Sequence, residues 1–231
     1  MKIYKSIDGV ILENGNEFRL HKLETSWNDF INRDDLFDFL SVEWNNSEAL
    51  QNEPDQSRLL APIGSQEIWA AGVTYHSSRL ARMEESKDAG GGDFYSRVYA
   101  AARPEIFFKA TPARAVGPGE NFRIRKDSTW DVPEPELTLF ATSNGKIVGY
   151  TVGNDVSSRS IEGENPLYLP QAKTYDACAC LGPCIYVPKD PLAKSTIISM
   201  TIERESQLVF SEETNLEQMK RTPEELISYL F

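Results

Sequence analysis

Glu134 and Glu136 stand two residues apart in the stretch W-D-V-P-E-P-E-L-T-L, residues 130–139. On an extended backbone, residues two apart project from the same face, so both carboxylates enter one space. Pro135 between them has no N–H to give to a ladder, which places the segment at a sheet edge, a strand start or a bulge. Asn144-Gly145 is a hairpin signal that folds the chain back antiparallel through an apolar run ending G-Y-T-V-G-N-D-V-S. That return brings Asp155 toward the two glutamates. Three carboxylates at close range repel one another, and a divalent cation removes that cost. An all-oxygen donor set calls for a hard ion, Mg²⁺ first and Mn²⁺ or Ca²⁺ next. The same residues also allow a plainer reading, an acidic loop on a solvated hairpin.

The elements that must position these groups are legible in part. Residues 1–20 alternate polar and apolar, with turns at Asp8-Gly9 and Asn14-Gly15, and predict a three-strand meander. Thr25 and Ser26 precede Trp27, Phe30, Ile31, Phe37 and Leu40 at near-helical spacing, which predicts one capped helix. The polar stretch 45–65 reads as a linker, dividing a small N-terminal α/β region (1–62) from a main domain (63–231). Residues 68–75 form an apolar run of strand length. After it, a helix over 76–88, the triglycine 90–92 and a helix from Asp93 read either as a mobile lid or as a plain surface excursion. Strands are expected at 106–109, 122–125, on both sides of Asn144-Gly145 and following L-G-P at 181–183. Residues 195–203 should pair with 208–210. Residues 157–172 lack periodicity and read as an ordered loop, and Thr222-Pro223-Glu224-Glu225 opens a helix. The chain ends on Leu230-Phe231, a pair expected either to pack down or to mark a shortened chain.

At 231 residues with 40% hydrophobic and 10% aromatic side chains, the chain can bury an ordinary core. A net charge of −11 and the lack of any basic run argue against a nucleic-acid surface. No apolar run of membrane-spanning length occurs, and residues 1–9 do not read as a secretory leader. The expectation is a soluble cytoplasmic protein with no membrane partner. Cys178, Cys180 and Cys184 are an odd set without a zinc spacing and read as small buried side chains.

Several stretches together resemble the fumarylacetoacetate hydrolase family. They are G-V-T-Y (72–75), F-F-K (107–109), G-P-G (117–119), E-P-E-L (134–137), G-Y-T-V-G-N-D-V-S-S-R (149–159), A-K-T-Y-D (172–176) and L-G-P (181–183). The resemblance implies an α+β, mostly β fold, a mixed β-sandwich roll with a small N-terminal α/β piece. It implies a homodimer or higher homo-oligomer acting on small 2-oxo acids, with Glu134, Glu136 and Asp155 as ligands to Mg²⁺ or Mn²⁺. R-P-E-I-F-F-K-A-T-P (103–112) and E-N-P-L-Y-L-P-Q (164–171) look like the branch that dehydrates 2-dehydro-3-deoxy-D-arabinonate. Hydrolases of the family carry a His and a Glu where this chain has Ser78 and Ala81. Without that pair, water has lost its general base. The family pattern also continues into strands with a T-G-T motif that this chain lacks.

The implied chemistry is a metal-assisted lyase reaction. A 2-oxo acid chelates the ion, the C3 proton is removed and the C4 hydroxyl is expelled on the way to 2,5-dioxopentanoate. Glu105 and Lys173 are the candidate proton-transfer residues, with a surface glutamate and an ion pair to one of the metal carboxylates as their plainer readings. Tyr75, Arg79 and Lys109 are candidate substrate contacts, with Lys109 also suited to neutralising a carboxylate and Arg159 to bracing the Asp155 loop. An acylpyruvate hydrolase or oxaloacetate decarboxylase of the same family is the alternative. A non-catalytic protein binding metal or sugar acid is the alternative of another class.

Overall fold

The structure, a computed structural model, describes residues 1–75 and 92–231. Its first three strands, β1 (Lys2–Ser6), β2 (Gly9–Asn14) and β3 (Glu17–His21), form the expected antiparallel meander. Gly15 opens the two-residue loop between β2 and β3 with a φ of +62°, a conformation that a side chain would strain. Alternation decides the two faces. Ile3, Val10 and Leu12 point to one apolar cluster, Tyr4 and Ile11 to another.

The first cluster is covered by two helices, not the single one expected. In α1 (Trp27–Ile31) the Ser26 hydroxyl accepts the Asp29 N–H at 3.1 Å, and α2 (Leu36–Asn46) follows after a break. The intervening residues are drawn into bonds with a distant turn. Asn32 Oδ1 accepts the Ser143 N–H at 2.9 Å, and Asp34 accepts from the Thr142 hydroxyl at 2.6 Å and the Asn144 amide at 3.0 Å. These tertiary partners outcompete continuation of the helix, which spacing alone does not reveal. A short strand, β4 (Glu48–Ala49), completes this edge by pairing with β3.

The strands β5 (Ile68–Gly72) and β6 (Glu105–Ala110) pair antiparallel. Between them, α3 (Gly92–Ala100) corresponds to the second of the two expected helices, while the helix over 76–88 and Gly90-Gly91 lie outside the described residues. The short strands β7 (Ala115–Val116) and β8 (Asp131–Val132) lead to the hairpin of β9 (Pro135–Ala141) and β10 (Ile147–Asp155). Then come β11 (Ser157–Ser158), α4 (Arg159–Glu164), α5 (Leu169–Lys173) and β12 (Ala179–Tyr186). The chain closes with the hairpin β13 (Ile197–Arg204)–β14 (Gln207–Asn215) and α6 (Pro223–Ser228), which Thr222 caps as its sequence predicts.

One sheet orders these strands β4-β3-β2-β1-β12-β10-β9, with β7 joining β12 in parallel. The fold is α+β, mostly β, and its main sheet is mixed. Two local expectations are corrected. Residues 122–125 form no strand: Arg123 N–H donates to Ala177 O at 3.1 Å, while Phe122 and Ile124 lie exposed. Residues 157–172 are not a loop but β11, α4, a 3-10 turn (Pro166–Tyr168) and α5. Each is too short to show a period. The signals were caps instead, with Ser158 accepting from Ile161 N–H and Asn165 from Leu167 N–H. Among the described residues, no helix is long and apolar enough to cross a membrane.

Candidate metal and acid–base site

Pro135 is the first residue of β9, the end strand of the sheet, where its missing N–H costs no ladder bond. Across the hairpin Glu136 faces Gly153 and Pro135 faces Asn154. Two further bonds tie down Glu134. Asp155 N–H donates to Glu134 O at 3.0 Å, and Asn154 Oδ1 accepts the Glu134 N–H at 3.0 Å. Gly145, at a φ of +77°, closes the turn by donating its N–H to Thr142 O at 2.9 Å. The result is that carboxylate oxygens of Glu134, Glu136 and Asp155 all lie within 4.8 Å of one another.

Two buried lysines, each 1% exposed, enter this cluster from different elements. Lys173 ends α5, and its ammonium donates to Asp155 Oδ2 at 2.8 Å, Glu134 Oε1 at 2.9 Å and Ser157 Oγ at 2.5 Å. Lys109 is the extra residue of a β-bulge, since Ile68 pairs with Ala110 and Trp69 with Phe108. A bulge re-aims a side chain, and this one points Lys109 inward. Its Nζ lies 2.5 Å from Asp155 Oδ1 and donates to Val156 O at 2.9 Å and Lys173 O at 2.5 Å. Arg159 Nη2 stands 3.1 Å from Glu134 Oε1, so the carboxylate it pairs with is that of Glu134.

Glu136 feels the remaining imbalance. Burial first, then the neighbouring Asp155 and Glu134, push its carboxyl up to about 8, against the opposing pull of the two lysines. Three hard oxygen donors within reach of a common point, one of them held against ionisation by its surroundings, fit a small divalent cation.

The cluster borders a cavity of about 720 Å³ whose wall includes Tyr75, Lys109, Glu136, Asp155 and Cys180, with Ile68, Phe140, Leu226 and Ile227 on its apolar side. Burial and Glu136 push the Tyr75 phenol up to about 12, so it stays protonated, and its buried hydroxyl has no hydrogen-bond partner among the described residues. A buried hydroxyl facing a cavity is a ready partner for a ligand oxygen. Glu105 begins β6 and lies against Gly72, where a Cβ would come within 2.1 Å of Glu105 Oε2. The described residues lining the cavity do not include Glu105 or Lys173. Arg79 lies outside the described residues. Cys178 is buried beside Ala110, Tyr175 and Ala179, while Cys180 and Cys184 are half-buried, and all three are free.

Sequence reasoning missed Ser157 and the Asn154 side chain. The signal for Ser157 was present, because it follows Asp155 by two and is fully buried with it. Nothing in the sequence marks Asn154 as the acceptor for Glu134.

The profile of the fumarylacetoacetate (FAA) hydrolase C-terminal region matches residues 67–231. A probable 2-keto-3-deoxyxylonate dehydratase of Haloferax volcanii is 56% identical over 169 residues, covering 73% of this chain and 57% of the relative. A 2-dehydro-3-deoxy-D-arabinonate dehydratase of Saccharolobus solfataricus is 47% identical over 176 residues, covering 75% of this chain and 59% of the relative. The chain therefore spans less than two thirds of the length of these relatives. A solved 2-keto-3-deoxy-D-arabinonate dehydratase, complexed with magnesium and 2,5-dioxopentanoate, superposes with a TM-score of 0.78 at 34% identity, covering 100% of this chain and 82% of that one. The carboxylate triad, the fold around it and these likenesses agree: the chain belongs to the fumarylacetoacetate hydrolase family.

Proposed function

We propose that this chain is a metal-dependent hydro-lyase that converts a 2-keto-3-deoxy sugar acid, 2-dehydro-3-deoxy-D-arabinonate or a near analogue, to 2,5-dioxopentanoate and water. The observation that carries the reading is the convergence of Glu134, Glu136 and Asp155, on a chain 56% and 47% identical to proteins named as such dehydratases. Those three residues would hold Mg²⁺, with Mn²⁺ or Ca²⁺ as substitutes. The bound ion supplies Lewis acidity, drawing charge from the 2-oxo group and so acidifying the C3 hydrogen.

The chain's own residues supply the rest. Loss of the C3 proton and of the C4 hydroxyl, which leaves as water, forms a C3=C4 double bond. Moving a proton from C5 to C3 then gives an enol at C4–C5, and its tautomer is the aldehyde of the product. We assign these proton movements to Lys173 and Glu105. Lys173 sits beside the carboxylates through its bonds to two of the three, an arrangement that equally fits a purely charge-neutralising ion pair. Glu105 is the carboxylate of the strand that also carries Lys109. Tyr75 offers its buried hydroxyl to a substrate oxygen, and Arg79 is a second contact in this scheme. General acid–base groups of this kind contribute about 10²–10⁴-fold each.

The test is incubation with 2-dehydro-3-deoxy-D-arabinonate and mass analysis of products, with Mg²⁺ and after chelation. The expected result is 2,5-dioxopentanoate only when the cation is present, lost in Glu134→Gln. A rate untouched by chelation, or faster cleavage of an acylpyruvate, sinks the proposal. Binding of the sugar acid without product points to a non-catalytic role.

The same reading includes a cytoplasmic homodimer or higher homo-oligomer. Its oligomeric part is supported by the exposed apolar residues Ile197, Leu208, Val209 and Phe210 on β13–β14, of a kind that marks contact surfaces. Light scattering that returns the mass of a single chain at micromolar concentration would refute that part.

A further inference from the structure

Lys109 borders the cavity, yet its ammonium donates to two backbone oxygens, Val156 O and Lys173 O, and lies 2.5 Å from a third protein oxygen, Asp155 Oδ1. Those oxygens belong to the two segments from which the site is built. Asp155 Oδ1 and Val156 O sit at the end of β10, and Lys173 O sits at the end of α5. Lys173 then reaches back across the same gap to Asp155 Oδ2. One ammonium thus grips the backbone from which Lys173 projects and one oxygen of Asp155, while Lys173 grips the other. Among the described residues no other cation bonds to both segments in this way, and the bulge at Lys109 is what delivers the ammonium there.

We infer that Lys109 is a positioning residue that holds Asp155 and Lys173 in mutual register. It does so without touching substrate. The inference rests on the dehydratase reading for its kinetic half, and on the carboxylate triad alone for its binding half. Two simpler roles make opposite predictions. If Lys109 bound the substrate directly, Lys109→Met would raise KM and spare kcat. A cation that merely neutralises charge, once removed, would leave a more negative site and tighten binding of a divalent ion.

Positioning predicts neither. In Lys109→Met of the 231-residue chain, kcat for 2-dehydro-3-deoxy-D-arabinonate falls about 10²-fold with KM little changed, the cost of a site misplaced by about an ångström. Mn²⁺ binding to the metal-free chain, read by electron paramagnetic resonance without substrate, weakens about tenfold, as when a residue behind a ligand is removed. Tighter Mn²⁺ binding, a change confined to KM, or no change in either reading overturns the inference. If Lys109→Met fails to fold, Lys109→Gln carries the same two readings. Should the wild-type chain not dehydrate the sugar acid, the dehydratase reading fails alone, because the Mn²⁺ measurement still decides the role of Lys109.

Discussion

One strand, β12, takes part in two regions of opposite chemistry. Near its C-terminal end Ile185 pairs with Ile3 and packs with Leu12, Leu36 and Leu40 in a cluster of apolar side chains. At its N-terminal end Ala179 pairs with Asp155, beside the space shared by Lys109, Lys173, Glu134 and Glu136. The first region gains by excluding water, about 1.5–3 kcal/mol for each fully buried aliphatic side chain. The second is penalised by the same exclusion, since each ion taken out of water costs several kcal/mol unless its partners are well placed. Stability in the apolar cluster is accordingly spread over many small contacts. In the charged cluster every group depends on the others, which makes it responsive to protons and metal. That responsiveness is what a site for acid–base chemistry requires.

The contrast is broken most sharply by removing a member of the charged cluster. Lys173→Met is expected to lower turnover by about 10³-fold, within the range for a missing acid–base group, measured as initial rate at saturating Mg²⁺. In the apolar cluster Leu40→Ala should instead cost about 2–5 kcal/mol in urea unfolding, yet keep its rate below the transition. A Leu40→Ala chain that folds normally but loses turnover would show that the two regions are not separable. Added Mg²⁺ should stabilise wild type by about 2.7 kcal/mol at a hundred times its dissociation constant, and Glu134→Gln much less.

Protons sharpen the comparison further. Glu136 has a carboxyl near 8 in the folded chain against an ordinary value of 4.5. The folded state therefore binds the extra proton, and stability falls as pH rises between those two values. Its contribution is complete below 4.5 and gone above 8. Thermal unfolding of the metal-free chain should show this decline, and Glu136→Gln or saturating Mg²⁺ should flatten it. A decline that persists in Glu136→Gln would assign it to another group. The smallest effect is expected from Ser26→Ala, about 1 kcal/mol from removal of the α1 cap, with no change in rate or in metal binding.

Local chemistry made much of this chain readable from its sequence. The Gly15 and Gly145 turns, the Ser26 and Thr222 caps and the shared face of Glu134 and Glu136 each depend on residues within a few positions. Steric and hydrogen-bond preferences act at that range. The Asn144-Gly145 return points Asp155 at the two glutamates, and the hairpin register shows how it arrives. What only the tertiary structure decided lies between distant segments. Asn32 and Asp34 leave the helical path for the 142–144 turn, β1 joins its sheet through β12, and the ammonium groups of Lys109 and Lys173 meet on Asp155. The physical reason is that the cost of burying a charge, and the partner that offsets it, are set by where the whole chain closes around it. A lysine in F-F-K or A-K-T-Y-D looks the same in sequence whether it faces water, substrate or a carboxylate, and the fold alone supplies its two or three oxygens.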